Sequence, residues 1–144
     1  MFLGQYEHTI DEKGRMTIPA RFRGLLAEGA YITQGFDENL IVLTAPIFDR
    51  VYQRINQLSM TDPDARLLKR LLFANAVQVD VDKAGRILIP QFLRMSTLLE
   101  SGAYVVGVGD YFEIWAPTTW ITQSNLMQNP GANAQRFAAL DLTI

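Results

Sequence analysis

The sequence predicts an α+β domain made of two half-repeats, and three observations carry that prediction. The pattern D-x-x-G-R-x-x-I-P stands at residues 11–19 and again at residues 82–90. Around each copy, short apolar runs of strand length give way to apolar residues at helical spacing. The chain has 144 residues, 49% hydrophobic and 19% charged, enough for one buried core. A half of this size rarely buries enough surface alone, so the two should share a core about a pseudo-twofold axis.

The elements follow in order. Tyr6 and Ile10 precede the first Asp, and Val77, Val79 and Val81 precede the second. The alternation over 77–81 is that of a half-buried strand. Runs at 16–18 and 87–89 predict a second strand in each half. Pro19 and Pro90 then suit the first position of a helix, where a missing N–H costs nothing. Phe22, Leu25 and Leu26 should face the core from the first helix, and Phe92, Met95 and Leu99 from the second. Gly29 and Gly102 fall where helix C-cap glycines belong. Strands are expected at 31–33 and 104–106, then at 40–43 and 112–115. Pro46 and Pro117 open further helices, the first with Phe48, Val51, Ile55 and Leu58 on one face. Asp62 and Pro63 read as N-cap and first turn of a connecting helix striped by Leu67, Leu68, Leu71 and Leu72. The expected division is repeat 1 over 5–47, connecting helices over 48–75, repeat 2 over 76–119, and a C-terminal helix with a loosely held tail over 120–144.

Asp at the first place and Gly at the fourth is the preference of a tight turn, with the carboxylate bonding amides inside it. Asp11, Gly14, Asp82 and Gly85 are therefore loop-shaping residues. A turn makes no demand for the arginines that follow, Arg15 and Arg86. Two readings stand side by side. The arginines close the loops by pairing with Asp11 and Asp82, a surface contact of about 0–1 kcal/mol. Or they form a bidentate cationic device, since guanidinium suits phosphate or a guanine edge. Lys13 and Lys83 add charge to the two tips.

The other chemistry is thin. There is no cysteine, hence no disulfide or thiolate site, which suits a reducing compartment. His8 is the only histidine and reads as structural; no metal or cofactor site and no catalytic cluster is expected. The glycines of 106–110 read as a strand end and turn. Trp115 and Trp120 read as core or interface aromatics. The start, MFLGQYEHT, does not have the form of a signal peptide, and no apolar run reaches membrane-spanning length. The net charge of −2 argues weakly against a polyanion partner, but the cations cluster: Lys13, Arg15, Arg21 and Arg23 in one segment, Lys83, Arg86 and Arg94 in the other.

At residues 4–23 the sequence reads G-x-Y-x-H-T-I-D-x-K-G-R-x-x-I-P-x-x-F-R, which closely resembles the start of MraZ proteins. D-K-x-G-R-I-x-I-P over 82–90 resembles that family's second motif. The resemblance covers nearly all of the chain up to about Trp120. It implies two SpoVT/AbrB-type swapped-hairpin halves in one barrel-like core with flanking helices. It also implies a non-enzymatic, cytoplasmic and nucleoid-associated transcriptional regulator. Such a protein forms a ring-shaped homo-oligomer and binds short direct repeats in double-stranded DNA upstream of its own division and cell-wall genes. The motif places Arg15 and Arg86 at the DNA, with Lys13 at a matching position. Ala84 replaces a basic or polar residue there in the second copy, which Lys83 would offset. Four neutralised phosphates per subunit would give a log–log salt slope near about −3.6, modest for an acidic monomer and a reason for several subunits to bind together. The rival expectations are an antitoxin-like protein-interaction module and, more remotely, an enzyme.

Overall fold

The structure is a computed structural model and describes residues 1–142. Its strands are β1 (Gln5–Thr9), β2 (Arg15–Thr17), β3 (Ala30–Gln34), β4 (Leu40–Thr44), β5 (Val77–Val79), β6 (Arg86–Leu88), β7 (Gly102–Gly107) and β8 (Tyr111–Trp115). Its helices are α1 (Ala20–Arg23), α2 (Ala45–Asn56), α3 (Pro63–Lys69), α4 (Gln91–Ser96), α5 (Pro117–Met127) and α6 (Pro130–Ala138). A six-stranded antiparallel sheet runs β1-β7-β8-β4-β3-β5, and β2 pairs with β6 in a separate two-stranded ribbon. Exchanging β1 with β5, β7 with β3 and β8 with β4 leaves the strand order unchanged. The halves are woven together: β1 of the first pairs with β7 of the second, and β4 meets β8 at the centre.

Alternation with period two sends each strand's side chains to two faces. On the inner face Ala30, Ile32, Leu40, Val42, Ala103, Val105, Phe112 and Ile114 are buried. They pack against Met16 and Ile18 of the first half and Ile87 and Ile89 of the second, which seats the ribbon on the sheet. Phe22 of α1 packs on both Phe2 and Phe112, with ring centroids 5.0 and 5.3 Å away. Full burial of a ring of this size contributes roughly 1.5–3 kcal/mol. The opposite face carries Ile41 and Leu43 under Ile55 and Leu72, and Val106 and Trp115 under Trp120.

Several expectations are corrected. The sheet does not close into a barrel: its edges β1 and β5 lie at opposite ends of the strand order, and β2 and β6 pair with each other in a separate ribbon. Pro19 and Pro90 are N-caps with ψ of 134° and 145°, one place before the helices α1 and α4. Phe92 and Met95 are exposed, and Leu93 is buried in their stead. The proline sets the register, since Leu93 and Phe22 each stand three residues after it. Gly29 takes the expected positive φ of 100°, but Gly102 lies inside β7, and Leu98 at φ 59° makes the turn after α4. The two extra residues of the second half are taken up there. Leu58 and Leu67 face solvent. The tail forms α6, capped by Asn129, with no buried residue.

Candidate nucleic-acid interface

Each motif folds as a tight turn locked by its own aspartate. Asp11 Oδ1 accepts from the amides of Lys13 and Arg15, both at 2.9 Å. Its Oδ2 accepts from Arg15 Nε at 2.8 Å. The main chain closes the turn with Gly14 N–H to Asp11 O at 3.0 Å and Asp11 N–H to Arg15 O at 2.9 Å. In the second turn Asp82 Oδ1 accepts from the amides of Ala84 and Arg86, both at 2.9 Å, and Oδ2 from Arg86 Nε at 3.0 Å. Gly14 and Gly85 have φ of 85° and 78°, the left-handed region that a side chain would strain.

The hydrogen bonds govern the charge state. The Arg15 amide, then the Arg15 side chain and the Lys13 amide, hold the Asp11 carboxyl below its ordinary value. The Arg86 amide, then the Arg86 side chain and the Ala84 amide, do the same for Asp82. Both aspartates are thus anions at neutral pH.

The ribbon aims the arginines. In its register Arg15 faces Leu88, Met16 faces Ile87 and Thr17 faces Arg86. Partners across an antiparallel ladder share a face, and faces alternate along each strand. Met16 and Ile87 point inward and are buried. Arg15, Thr17, Arg86 and Leu88 therefore share the outward face, with the arginines on one diagonal. At about 3.3 Å per residue and ~4.8 Å between strands, their Cα atoms are ~8 Å apart. Each guanidinium spends its Nε edge on its aspartate, as the pairing alternative required. Among the described residues neither guanidinium has any further hydrogen bond or ion pair, so both terminal forks are open. Loop closure and an outward cationic fork are one geometry.

Lys13 and Lys83 lie on the exposed tips, and Gly14 and Gly85 are buried beneath neighbouring side chains. Two further arginines complete the region. Arg23 Nε donates to Ile18 O at 3.0 Å and Arg94 Nε to Ile89 O at 2.9 Å. Each stands four residues after its proline, so the repeat continues to D-x-x-G-R-x-x-I-P-x-x-x-R. That matched spacing was the signal by which sequence reasoning could have placed them in the site. His8, half-buried on β1, has its pKa lowered by burial and then by the charge of Arg23.

One locked turn per half, the two brought together by a single cationic two-stranded ribbon, defines a duplicated domain. The family model described as "MraZ protein, putative antitoxin-like" matches twice, over residues 1–71 and 72–141. A protein of Herpetosiphon aurantiacus named transcriptional regulator MraZ is 48% identical over 85% of both chains. One from a Roseiflexus species with the same name is 44% identical over 96% of this chain and 94% of its own. One from Thermomicrobium roseum, again so named, is 43% identical over 97% and 99%. The chain belongs to the MraZ family, which is a family of transcriptional regulators and not of enzymes. No helix among the described residues is long and apolar enough to cross a membrane.

Proposed function

We propose that the protein is a sequence-specific regulator whose β2–β6 ribbon reads double-stranded DNA. The observation that carries this reading is the pair of arginines on one outward face, each held by its aspartate with its fork free. The major groove admits a two-stranded ribbon, and a bidentate arginine fits the O6 and N7 of guanine. Arg15 and Arg86 make those base or phosphate contacts. Lys13 and Lys83 add phosphate charge, and Asp11, Gly14, Asp82 and Gly85 keep the turns in shape. Leu88 and Thr17, on the other diagonal, offer apolar contact to a thymine methyl.

Residues 5–47 and 76–119 act as two swapped-hairpin halves joined by the helices of 48–75, with 120–144 outside the repeat. One ribbon per chain presents few cations. Several chains in a ring-shaped homo-oligomer would engage short direct repeats in the promoter of the protein's own division and cell-wall gene cluster at high effective concentration. Such a protein works in the cytoplasm, on the nucleoid, with neither cofactor nor small-molecule substrate. The test is fluorescence anisotropy on a duplex from the region upstream of the gene, against a scrambled duplex, over a salt series. Repeat-dependent binding that weakens with salt supports the reading. Equal affinity for both duplexes sinks sequence specificity, and no binding by the intact oligomer sinks DNA recognition.

A further inference from the structure

The four arginines are arranged crosswise between the halves. Ile89 N–H donates to Gly14 O at 2.8 Å, so the end of β6 is tied to the tip of the first turn. Arg94 Nε returns to Ile89 O at 2.9 Å, and its guanidinium lies against Gly14, where a Cβ would stand 2.8 Å from it. The same circuit runs in the other direction. Ile18 N–H donates to Gly85 O at 2.8 Å, Arg23 Nε donates to Ile18 O at 3.0 Å, and the Arg23 guanidinium fills the space of the missing Gly85 side chain. Gly14 and Gly85 directly precede Arg15 and Arg86. Each tip is therefore gripped by a helix of the opposite half. Neither Arg23 nor Arg94 has a carboxylate partner among the described residues. The missing Cβ has a second use here, beyond the positive φ: it makes room for the clamp.

We infer that Arg94 is the positioning residue for Arg15, and Arg23 the positioning residue for Arg86. Each acts on the tip of the other half through the isoleucine carbonyl and the glycine it covers. The inference rests on the ribbon's reading of DNA. It adds that each reading arginine is a composite of both halves, so that an isolated half cannot present it correctly. The grip depends on the Nε donor and the flat guanidinium, so charge alone does not replace it.

The test is a set of double-mutant cycles in operator affinity, with the full chain and its assembly state checked for every variant. Arg94→Gln is expected to weaken binding about fivefold. In an Arg15→Ala background it should cost less than about twofold more; in an Arg86→Ala background it should cost the whole fivefold. Arg23→Gln should show the reverse pairing. Arg94→Lys and Arg23→Lys should behave like the glutamine variants, because lysine keeps the charge and loses the Nε bond. Additive costs in both backgrounds, coupling along the half rather than across it, or rescue by lysine would overturn the inference. A second readout needs no DNA. Arg94→Gln should speed hydrogen exchange at the Arg15 and Ile89 amides and leave those of Arg86 and Ile18 unchanged, with Arg23→Gln doing the converse. Equal loosening of both tips, or of neither, would refute the crossed grip. If Arg15→Ala leaves operator affinity intact while the exchange pattern holds, the DNA reading fails and the crossed grip stands.

Discussion

In the first turn an aspartate oxygen holds the amides of Lys13 and Arg15, and in the second it holds those of Ala84 and Arg86, all at 2.9 Å. The backbone is the same while two residues inside it differ. The first turn carries Glu12 and Lys13, the second Lys83 and Ala84. Counting the flanking Asp and Arg, the first has two acids and two bases, the second one acid and two bases. The second tip is therefore the more cationic by one charge. Replacement of Lys13's counterpart by Ala84 does not thin the second tip electrostatically, because Glu12's counterpart is Lys83. The comparison separates two duties. Asp, Gly and Arg fix the shape and recur; the two middle residues are exposed, bond only through main chain, and set the local charge.

The largest expected effect comes from removing shape. Gly14→Ala and Gly85→Ala force an L side chain into positive φ and into the space of a guanidinium. Each should cost about 1–3 kcal/mol in a denaturant titration. An unchanged midpoint for either would mean that the clamp and the turn are looser than their geometry. Next is the aspartate. Asp11→Ala removes the one oxygen that accepts from two amides and the partner of the Arg15 side chain, and should lower operator affinity while leaving Asp82's turn intact. Amide exchange faster at Lys13 and Arg15, unchanged at Ala84 and Arg86, is the check.

Acid should loosen both tips together. Asp11 and Asp82 have folded pKa values below the ordinary 3.8, so the stability they supply is present above that value and lost as pH falls through the folded pKa. His8 acts earlier on the same slope. Its folded pKa lies below 6.5, so stability is lost as pH falls from 6.5 towards it. His8→Gln should flatten the part of the pH–stability curve just below 6.5 and leave the acid limb in place. The smallest effects belong to the variable residues. Lys13→Ala and Lys83→Ala should each reduce the salt slope by about 0.9 per subunit with little change in stability. A slope unchanged by both would remove the lysines from the DNA face.

Much of this was legible in the chain because it is local. The turns needed only Asp, Gly and their spacing, and the strands needed only alternation. The arginines stand out because no turn requires a guanidinium, but the sequence alone leaves loop closure and a cationic device side by side. What was missed crosses between the halves. The pairing of β1 with β7 and of β2 with β6 joins segments far apart in sequence, and no periodicity announces it. The open sheet in place of a barrel follows from those pairings. Leu93 was misjudged in favour of Phe92 because α4 is too short for its spacing to define a face, and the preceding proline defines it instead. Arg23 and Arg94 were visible as cations, but their partners are a carbonyl and a glycine, which leave no trace in composition.

The most direct test of the central claim compares operator affinity for the wild type, Arg15→Ala, Arg86→Ala and the double variant, each shown to be folded and assembled. A shared reading face predicts that each single change costs about 1–3 kcal/mol of discrimination against scrambled DNA, and that the double variant retains only salt-dependent non-specific binding. A double variant that distinguishes operator from scrambled duplex as well as the wild type does would contradict it, and would return both arginines to the closing of their own turns.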